Sequence, residues 1–324
     1  MTDPHQIASE IKSQARALGF DLVGIAPAEP SRYRDYFRHW LDDGRAGDMT
    51  YLANRFHERT DPARYLPGAA SVICAAINYH VPLQPIAPSD QPHHGKIARY
   101  ALADDYHHLL KPRLHTLCDS LRQQAPDAKT RAAVDTAPVL EKELAARANI
   151  GWIAKNTCII NERIGSWLLL GEIITTLALP PDTPAIDRCG TCTRCIDACP
   201  THAITAPYEL DPRRCISYLT IEHRDDIPHD LHLPIHNWLY GCDICQDVCP
   251  WNRHAPTSTD PALQPRFPTG SLDLRQLLTW NDQTYRSSLH RSAIKRTKLP
   301  LLHRNAAIIR TQSEKSEQRG QAPF

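Results

Sequence analysis

Eight cysteines in one stretch carry the chemistry most plainly. Cys189-x2-Cys192-x2-Cys195-x3-Cys199-Pro200 has the spacing that wraps iron–sulfur cubes: three close thiolates take three corners of one 4Fe-4S cluster, and the fourth cysteine serves another. Read backward from Cys249-Pro250, the same spacing finds Cys245 and Cys242, then meets Leu239 where a first cysteine would stand, so Cys215 takes its place. In the crossed arrangement Cys189, Cys192, Cys195 and Cys249 hold one cluster, and Cys199, Cys215, Cys242 and Cys245 hold the other. Paired zinc ions with four cysteines each are the competing reading, because Cys-x2-Cys also suits tetrahedral zinc. Zinc has no need of a third cysteine at that spacing or of a proline after each run. Two neighbouring cubes would pass electrons singly, with potentials set by burial and hydrogen bonds to sulfur.

The elements that must position these thiols are read from the rest of the 324 residues, a length that suits about two domains. Ile7, Ile11 and Leu18 share a helical face that Gly19 ends, and Asp21 to Ala26 reads as a strand. Ser71 to Tyr79 reads as a buried strand, followed by a proline-rich loop from Pro82 to Gly95 that could cover a site. A helix is expected over 106–123, a strand over 132–135, a helix over 139–148, and one or two buried strands over 164–179. Pro180 to Pro184 reads as a stiff hinge. The alternation suggests an α/β fold, with antiparallel elements where connections are too short for crossovers. From Leu272 the chain is expected to be helical, and Thr311 to Phe324 to be disordered.

Composition excludes several classes. Lysine plus arginine (37) nearly balances aspartate plus glutamate (36), so no basic coat covers the molecule. Ile164 to Leu179, the longest apolar stretch, is broken by Ser166, Glu172 and two threonines and falls short of the ~20 residues a membrane span needs. The N-terminus has no secretory pattern, and a cytoplasmic location is expected. Reduced thiols follow from that compartment, so clustered cysteines point to metal rather than disulfides. Cys74, Cys118 and Cys158, each alone in apolar surroundings, read as small buried hydrophobes. Between Arg286 and Arg310 there are seven lysines or arginines and no acidic residue. That segment reads equally as a phosphate-contacting surface or as a solvated basic helix.

Beyond the cysteine runs, the sequence resembles the epoxyqueuosine reductases of tRNA queuosine biosynthesis, themselves similar to cobalamin-dependent reductive dehalogenases. The resemblance extends to about Asn305. Its carriers are Arg59-Thr-Asp-Pro-x3-Leu-Pro-Gly68, Val134-Asp135-Thr-Ala-Pro-Val-Leu-Glu141, Gly151-Trp-x2-Lys155-Asn156, Cys215-Ile-Ser-Tyr-Leu-Thr220 and Tyr240-Gly-Cys-Asp-x-Cys-Gln-x-Val-Cys-Pro250. It implies an α/β (α+β) cobalamin-binding catalytic domain of reductive-dehalogenase type over 1–180 and a ferredoxin-like domain with two 4Fe-4S clusters over 181–255. A short helical basic segment over 256–310 and the tail of 311–324 complete the expected organisation. It also implies a tRNA substrate, an electron donor such as flavodoxin or ferredoxin, and a monomer. Cobalamin cannot be read from pattern, because Asp105-Tyr-His107 is followed by His-Leu-Leu and lacks the glycine of the common binding motif.

The resemblance further implies Asp135 as catalytic acid and places Arg59, Ala98, Asp135, Ile159, Leu170, Ser217, Cys242 and Asp243 near the corrinoid. Turning an epoxide into an alkene takes two electrons and two protons and releases water, so the departing oxygen needs a proton as its bond to carbon breaks. A carboxyl group raised by burial can donate one. Val134 and Pro138 suggest a dry strand end for Asp135; capping of the following helix is the plainer alternative. Lys295, Arg296, Lys298 and Arg304 are expected to contact anticodon-stem phosphates. Lys155-Asn156 reads either as orienting substrate or corrinoid or as a solvated loop. Many family members continue past the Arg304-Asn305 counterpart into a helical repeat that embraces tRNA; this chain ends about twenty residues later, which implies a weaker or narrower grip. Two rival functions remain at this point: a reductive dehalogenase of a small organohalide, which predicts no tRNA affinity, and a ferredoxin-like electron carrier, which leaves the first 180 or so residues without a task.

Overall fold

The computed structural model describes residues 3–87 and 90–318. Its strands, in chain order, are β1 (Leu22–Pro27), β2 (Ser71–Asn78), β3 (His94–Ile97), β4 (Thr130–Ala133), β5 (Trp152–Ile153), β6 (Ile159–Ile160), β7 (Leu168–Thr175), β8 (Ile204–Ala206), β9 (Glu209–Leu210), β10 (Trp238–Tyr240) and β11 (Ser271–Asp273). Every residue of β2 is buried. Its side chains alternate between two apolar layers, as strand geometry requires. Ile73, Ala75 and Ile77 join Ile7 and Ile11 of the helix Pro4–Ala17 and Leu110, Leu114, Leu117 and Leu121 of the helix His107–Gln124. Val72, Cys74 and Ala76 meet Leu144, Ala145 and Ala148 at the helix Glu141–Arg147.

The main sheet has the order β1-β2-β7-β4, and every pairing is antiparallel. The short connections noted in the sequence therefore produce an antiparallel sheet with helices on both faces, an α+β arrangement. The apolar run 164–179 forms the single strand β7. Gly24 allows β1 to lie against the end of the helix Glu141–Arg147: a Cβ there would stand 1.7 Å from the Ala148 carbonyl oxygen. Pro180 to Pro184 is no free hinge. Asp182 accepts the Ile25 N–H at 2.8 Å and donates its own N–H to the Ile25 oxygen at 2.8 Å, closing the open edge of β1, while Lys12 pairs with its carboxylate at 2.7 Å.

A second sheet, β10-β3-β11, joins three remote parts of the chain: β3 runs parallel to β10 and antiparallel to β11. The Pro82 to Gly95 stretch enters this sheet at His94 rather than ending as a cover; Pro88 and Ser89 in it lie outside the described residues. Because β3, β10 and β11 come from the three expected successive domains, this sheet crosses the divisions read from the sequence at 180 and 255. Leu272, expected to open a helix, lies in β11. The last helix, Leu299–Gln318, packs Leu302, Ala306 and Ile309 against Leu239, Tyr240 and Leu274. It runs past residue 310, with buried Ser313 bonded to the Pro92 carbonyl, so the expected disordered tail is helical through Gln318. Residues 319–324 of that tail lie outside the described residues.

Candidate active site and metal centre

The two cysteine runs each form a loop followed by one short helical turn, Arg194–Asp197 and Ile244–Asp247. Cys189, Cys192, Cys195 and Cys249 line one open cavity together with Lys155, Asn156 and Trp251. The remaining four face one another: Cys242 feels Cys215 and Cys199, and Cys245 feels Cys242 and Cys215. These are the two sets read from spacing. Among the described residues no three His, Cys, Asp or Glu side chains gather where a single metal ion could sit. A cavity ringed by four thiols suits a 4Fe-4S cube. Burial pushes the Cys195 thiol up to about 11 and Cys242 well above its usual range, so a cluster entering here must displace protons. Main-chain N–H groups then supply hydrogen bonds to sulfur, as Ala203 does to Cys199 at 3.3 Å.

Lys155 and Asn156 follow neither of the roles read from the sequence. Lys155 is buried, and its Nζ donates to the Gly190 and Cys192 carbonyls at 2.6 and 3.0 Å. Asn156 Nδ2 donates to the Cys245 carbonyl at 3.2 Å. The pair thus ties the small β5–β6 hairpin to both cysteine runs. Cys74 and Cys118 are core residues as expected; Cys158 instead lies half-buried beside Cys245 and accepts a hydrogen bond from its thiol.

Asp135 sits two residues beyond β4 with φ of 45°, a left-handed conformation uncommon for aspartate. Its side chain is half-exposed, so the protein alone does not make the dry strand end expected there. It does not cap the following helix either: the N-cap is Leu140, and no side chain bonds there. The Asp135 N–H instead donates to Glu141 Oε1 at 2.5 Å. His107 Nε2 stands 3.7 Å from Asp135 Oδ2, and His107 Nδ1 lies 2.7 Å from Asp105 Oδ1. Burial pushes the Asp105 carboxyl up, yet the hydrogen bonds from the His107 ring and N–H outweigh it and hold the group low. An ionised Asp105 only accepts, so Nδ1 carries the proton and Nε2 faces Asp135. Tyr106, stacked on His107 at 4.4 Å, has its hydroxyl pushed far up by burial and then by Asp135. Arg59, Tyr51 and Arg296 complete the electrostatic surroundings of Asp135. Sequence reading found Arg59 and Arg296 but missed Tyr51, Tyr106 and His107; an Asp-x-His followed by no glycine gave the only hint.

The other expected corrinoid neighbours fall into two groups. Ala98, Ser217, Cys242 and Asp243 lie where β3 and β10 leave the second sheet. Ala98 N–H donates to the Tyr240 carbonyl, Arg99 N–H donates to Asp243, and Gly241 N–H donates to the Thr220 hydroxyl of the helix Ile216–Ile221 that contains Ser217. Gly241, with φ of 69°, is required there, since a Cβ would stand 2.5 Å from the Ala98 Cβ. Burial pushes Asp243 up to about 7 despite Arg99. Ile159 and Leu170 belong to the apolar cluster of Ala133, Ala137 and Val139 that flanks Asp135. Two donors in this region are buried without a protein partner, Nε of Arg59 and Nε of Arg99, and Nε2 of His107, an acceptor in the tautomer that Asp105 sets, is unpartnered as well. Unsatisfied buried donors call for acceptors from outside the chain, as the amide-rich periphery of a corrinoid provides.

The basic segment divides as well. Lys295, Arg296 and Lys298 are exposed, although Arg296 pairs with Glu222 at 2.5 Å and lies over Tyr51. Arg304 is committed inside: its five N–H groups reach the Leu219, His223 and Asp225 carbonyls and Asn305 Oδ1. It is a staple between the last helix and the loop after Ile221, and the expected phosphate contact would break that staple.

Comparison with known proteins decides the family. The model of "Epoxyqueuosine reductase QueG, DUF1730" matches residues 59–136, and that of the "4Fe-4S double cluster binding domain" matches residues 188–252. A Synechococcus sp. (strain RCC307) epoxyqueuosine reductase is 43% identical over 317 residues, 94% of each chain. The chain belongs to the epoxyqueuosine reductases. It is an oxidoreductase with a 4Fe-4S double-cluster domain, which excludes the bare electron carrier. Leadbetterella byssophila has a member 42% identical, covering 94% of this chain and 98% of the relative. A solved epoxyqueuosine reductase with a modified tRNA-Tyr stem loop has a TM-score of 0.90 at 29% identity, over 97% of this chain and 84% of that one. The Bacillus subtilis reductase, solved with its catalytic aspartate loop swung out of the active site, has a TM-score of 0.88 at 28% identity, over 98% and 85%. Among the described residues no helix is long and apolar enough to cross a membrane.

Proposed function

We propose that this chain reduces the epoxide of epoxyqueuosine at the tRNA wobble position to the alkene of queuosine, with Asp135 as acid and a corrinoid held beside it. The observation that carries this reading is the Asp135 carboxyl 3.7 Å from His107 Nε2 and within electrostatic reach of Arg59, in a chain of this family. Arg59 and Arg99 would supply donors to the corrinoid periphery and His107 Nε2 an acceptor, and Ile159, Leu170, Ala98, Ser217, Cys242 and Asp243 would form its surroundings. Cys189, Cys192, Cys195 and Cys249 would hold one cube, and Cys199, Cys215, Cys242 and Cys245 the other. When bound, the corrinoid supplies a low-potential reductant, and the clusters feed electrons one at a time.

The chain's own residues manage protons. Asp135 gives its proton to the departing epoxide oxygen as the carbon–oxygen bond breaks and becomes a carboxylate. His107, its Nδ1–H held by Asp105, would take a proton from solvent at Nε2 and pass it to that carboxylate. Two electrons and two protons enter, and one alkene and one water leave. The loop of Asp135 would move between swung-in and swung-out positions, as the swung-out loop of the Bacillus subtilis relative supports. Lys295, Arg296 and Lys298 would contact stem phosphates, and an electron donor such as flavodoxin or ferredoxin would recharge the clusters. Nucleoside analysis of tRNA from a strain lacking this gene tests the reading. Epoxyqueuosine should accumulate and give way to queuosine when the chain is restored; unchanged queuosine in the deletion strain would overturn it.

A further inference from the structure

Behind the Asp135 loop lie two carboxyl groups that the reaction does not use. Glu172, on β7 opposite Ala133 of β4, is fully buried, and neither carboxylate oxygen finds a donor. An ionised, unpartnered carboxylate in that position would be very costly. Its partner is Glu141, the first residue of the helix that covers this face of the sheet. Two acceptor groups facing each other are satisfied only by a proton of their own, carried by one and donated to the other. Glu141 also takes the Asp135 N–H at 2.5 Å.

We propose that Glu141 is a positioning residue: hydrogen-bonded by a protonated Glu172, its carboxylate latches the Asp135 loop inward through the Asp135 N–H. This rests on the reading of Asp135 as the acid. The latch explains how a half-exposed aspartate holds a left-handed backbone, because the hydrogen bond to Glu141 fixes the peptide that φ of 45° presents. The electrostatic setting agrees. Burial, then Asp135, pushes Glu141 up to about 7, and burial, then Glu141, pushes Glu172 well above the usual carboxylate range. Lys142 opposes the shift of Glu141, while Arg59, Tyr106 and Cys74 also feel its charge. Glu172 therefore keeps the proton, and the latch strengthens as Glu141 ionises with rising pH.

The test uses the full-length, cluster-loaded protein as Glu141→Ala, Glu141→Gln and Glu172→Gln variants. Amide hydrogen exchange of residues 134–140 and turnover of an epoxyqueuosine stem loop are both measured. Glu141→Ala should lower protection of that segment and kcat each about tenfold, the worth of one strong hydrogen bond, with KM nearly unchanged. Glu141→Gln keeps an acceptor and should recover most of both losses. Protection in the parent should rise between about pH 6 and 8 and stay flat in Glu141→Gln. Should Glu141→Ala fail to fold, the pH comparison of parent, Glu141→Gln and Glu172→Gln decides alone, with Glu172→Gln expected to shift the rise to a different pH. Unchanged protection in Glu141→Ala, equal losses of turnover in the Ala and Gln variants, or an identical pH response in parent and Glu141→Gln would overturn the latch. Lost protection with unaltered turnover would leave the latch standing and instead overturn the acid role of Asp135.

Discussion

The cysteine module and the Asp135 pocket reach their chemistry by opposite routes. In the first, seven of the eight thiols lie in two short runs, each a loop and a single helical turn, so chain geometry alone nearly sets their separations. In the second, Tyr51, Arg59, His107, Asp135 and Arg296 arrive from five separate segments, and only the antiparallel sheet and the last helices bring them together. Spacing within the first is therefore set locally, whereas the second depends on how remote elements pack.

The sharpest way to break this contrast is inside the module. Cys215→Ser, at the proposed ligand outside both runs, should cost one cluster, cutting iron from about eight to about four per chain and abolishing multiple turnover. Retention of both clusters would contradict the crossed assignment. Asp135→Asn should lower turnover by about 10²–10⁴-fold while iron, sulfide and bound corrinoid stay at parent levels. Undiminished turnover would remove Asp135 from acid duty.

Smaller effects test the surface. Replacing Lys295 and Lys298 with alanine should weaken stem-loop binding several-fold and reduce the salt slope by about 1 per lost phosphate contact. An unaltered titration would make both lysines solvated surface. Arg304→Ala, in contrast, should leave that slope alone and cost about 1–3 kcal/mol of stability, read from denaturant midpoints, because it strips acceptors of an internal staple. The smallest effect concerns pH. Glu141 is raised in the folded protein, so its contribution to stability is complete below about pH 4.5 and is lost as pH rises through about 7. Glu141→Gln should therefore lose less stability than the parent across that window in thermal melts.

The same contrast accounts for what the sequence disclosed. Thiol spacing is local and was legible, as were the helices over 4–17 and 107–124 and the strand over 71–78, whose apolar periods are long and regular. The β10-β3-β11 sheet was not legible, because three short strands carry almost no period of their own. Lys155 looked like a loop lysine; its role comes from two carbonyls of a distant cysteine run. Arg304 looked like a phosphate ligand because charge density is visible in sequence, whereas the four acceptors that consume it are not. Glu172 stood in view only as an interruption of an apolar run. A carboxylate inside a stretch that must be buried was itself the signal, and its meaning needed Glu141, thirty-one positions earlier, across the sheet face.

The most direct test is mass analysis of an anticodon stem loop carrying epoxyqueuosine after anaerobic incubation with the chain loaded with iron–sulfur clusters and corrinoid and supplied with a low-potential reductant. The product should lack one oxygen and co-elute with queuosine. An intact epoxide, with both clusters and the corrinoid verified in place, would contradict the assignment.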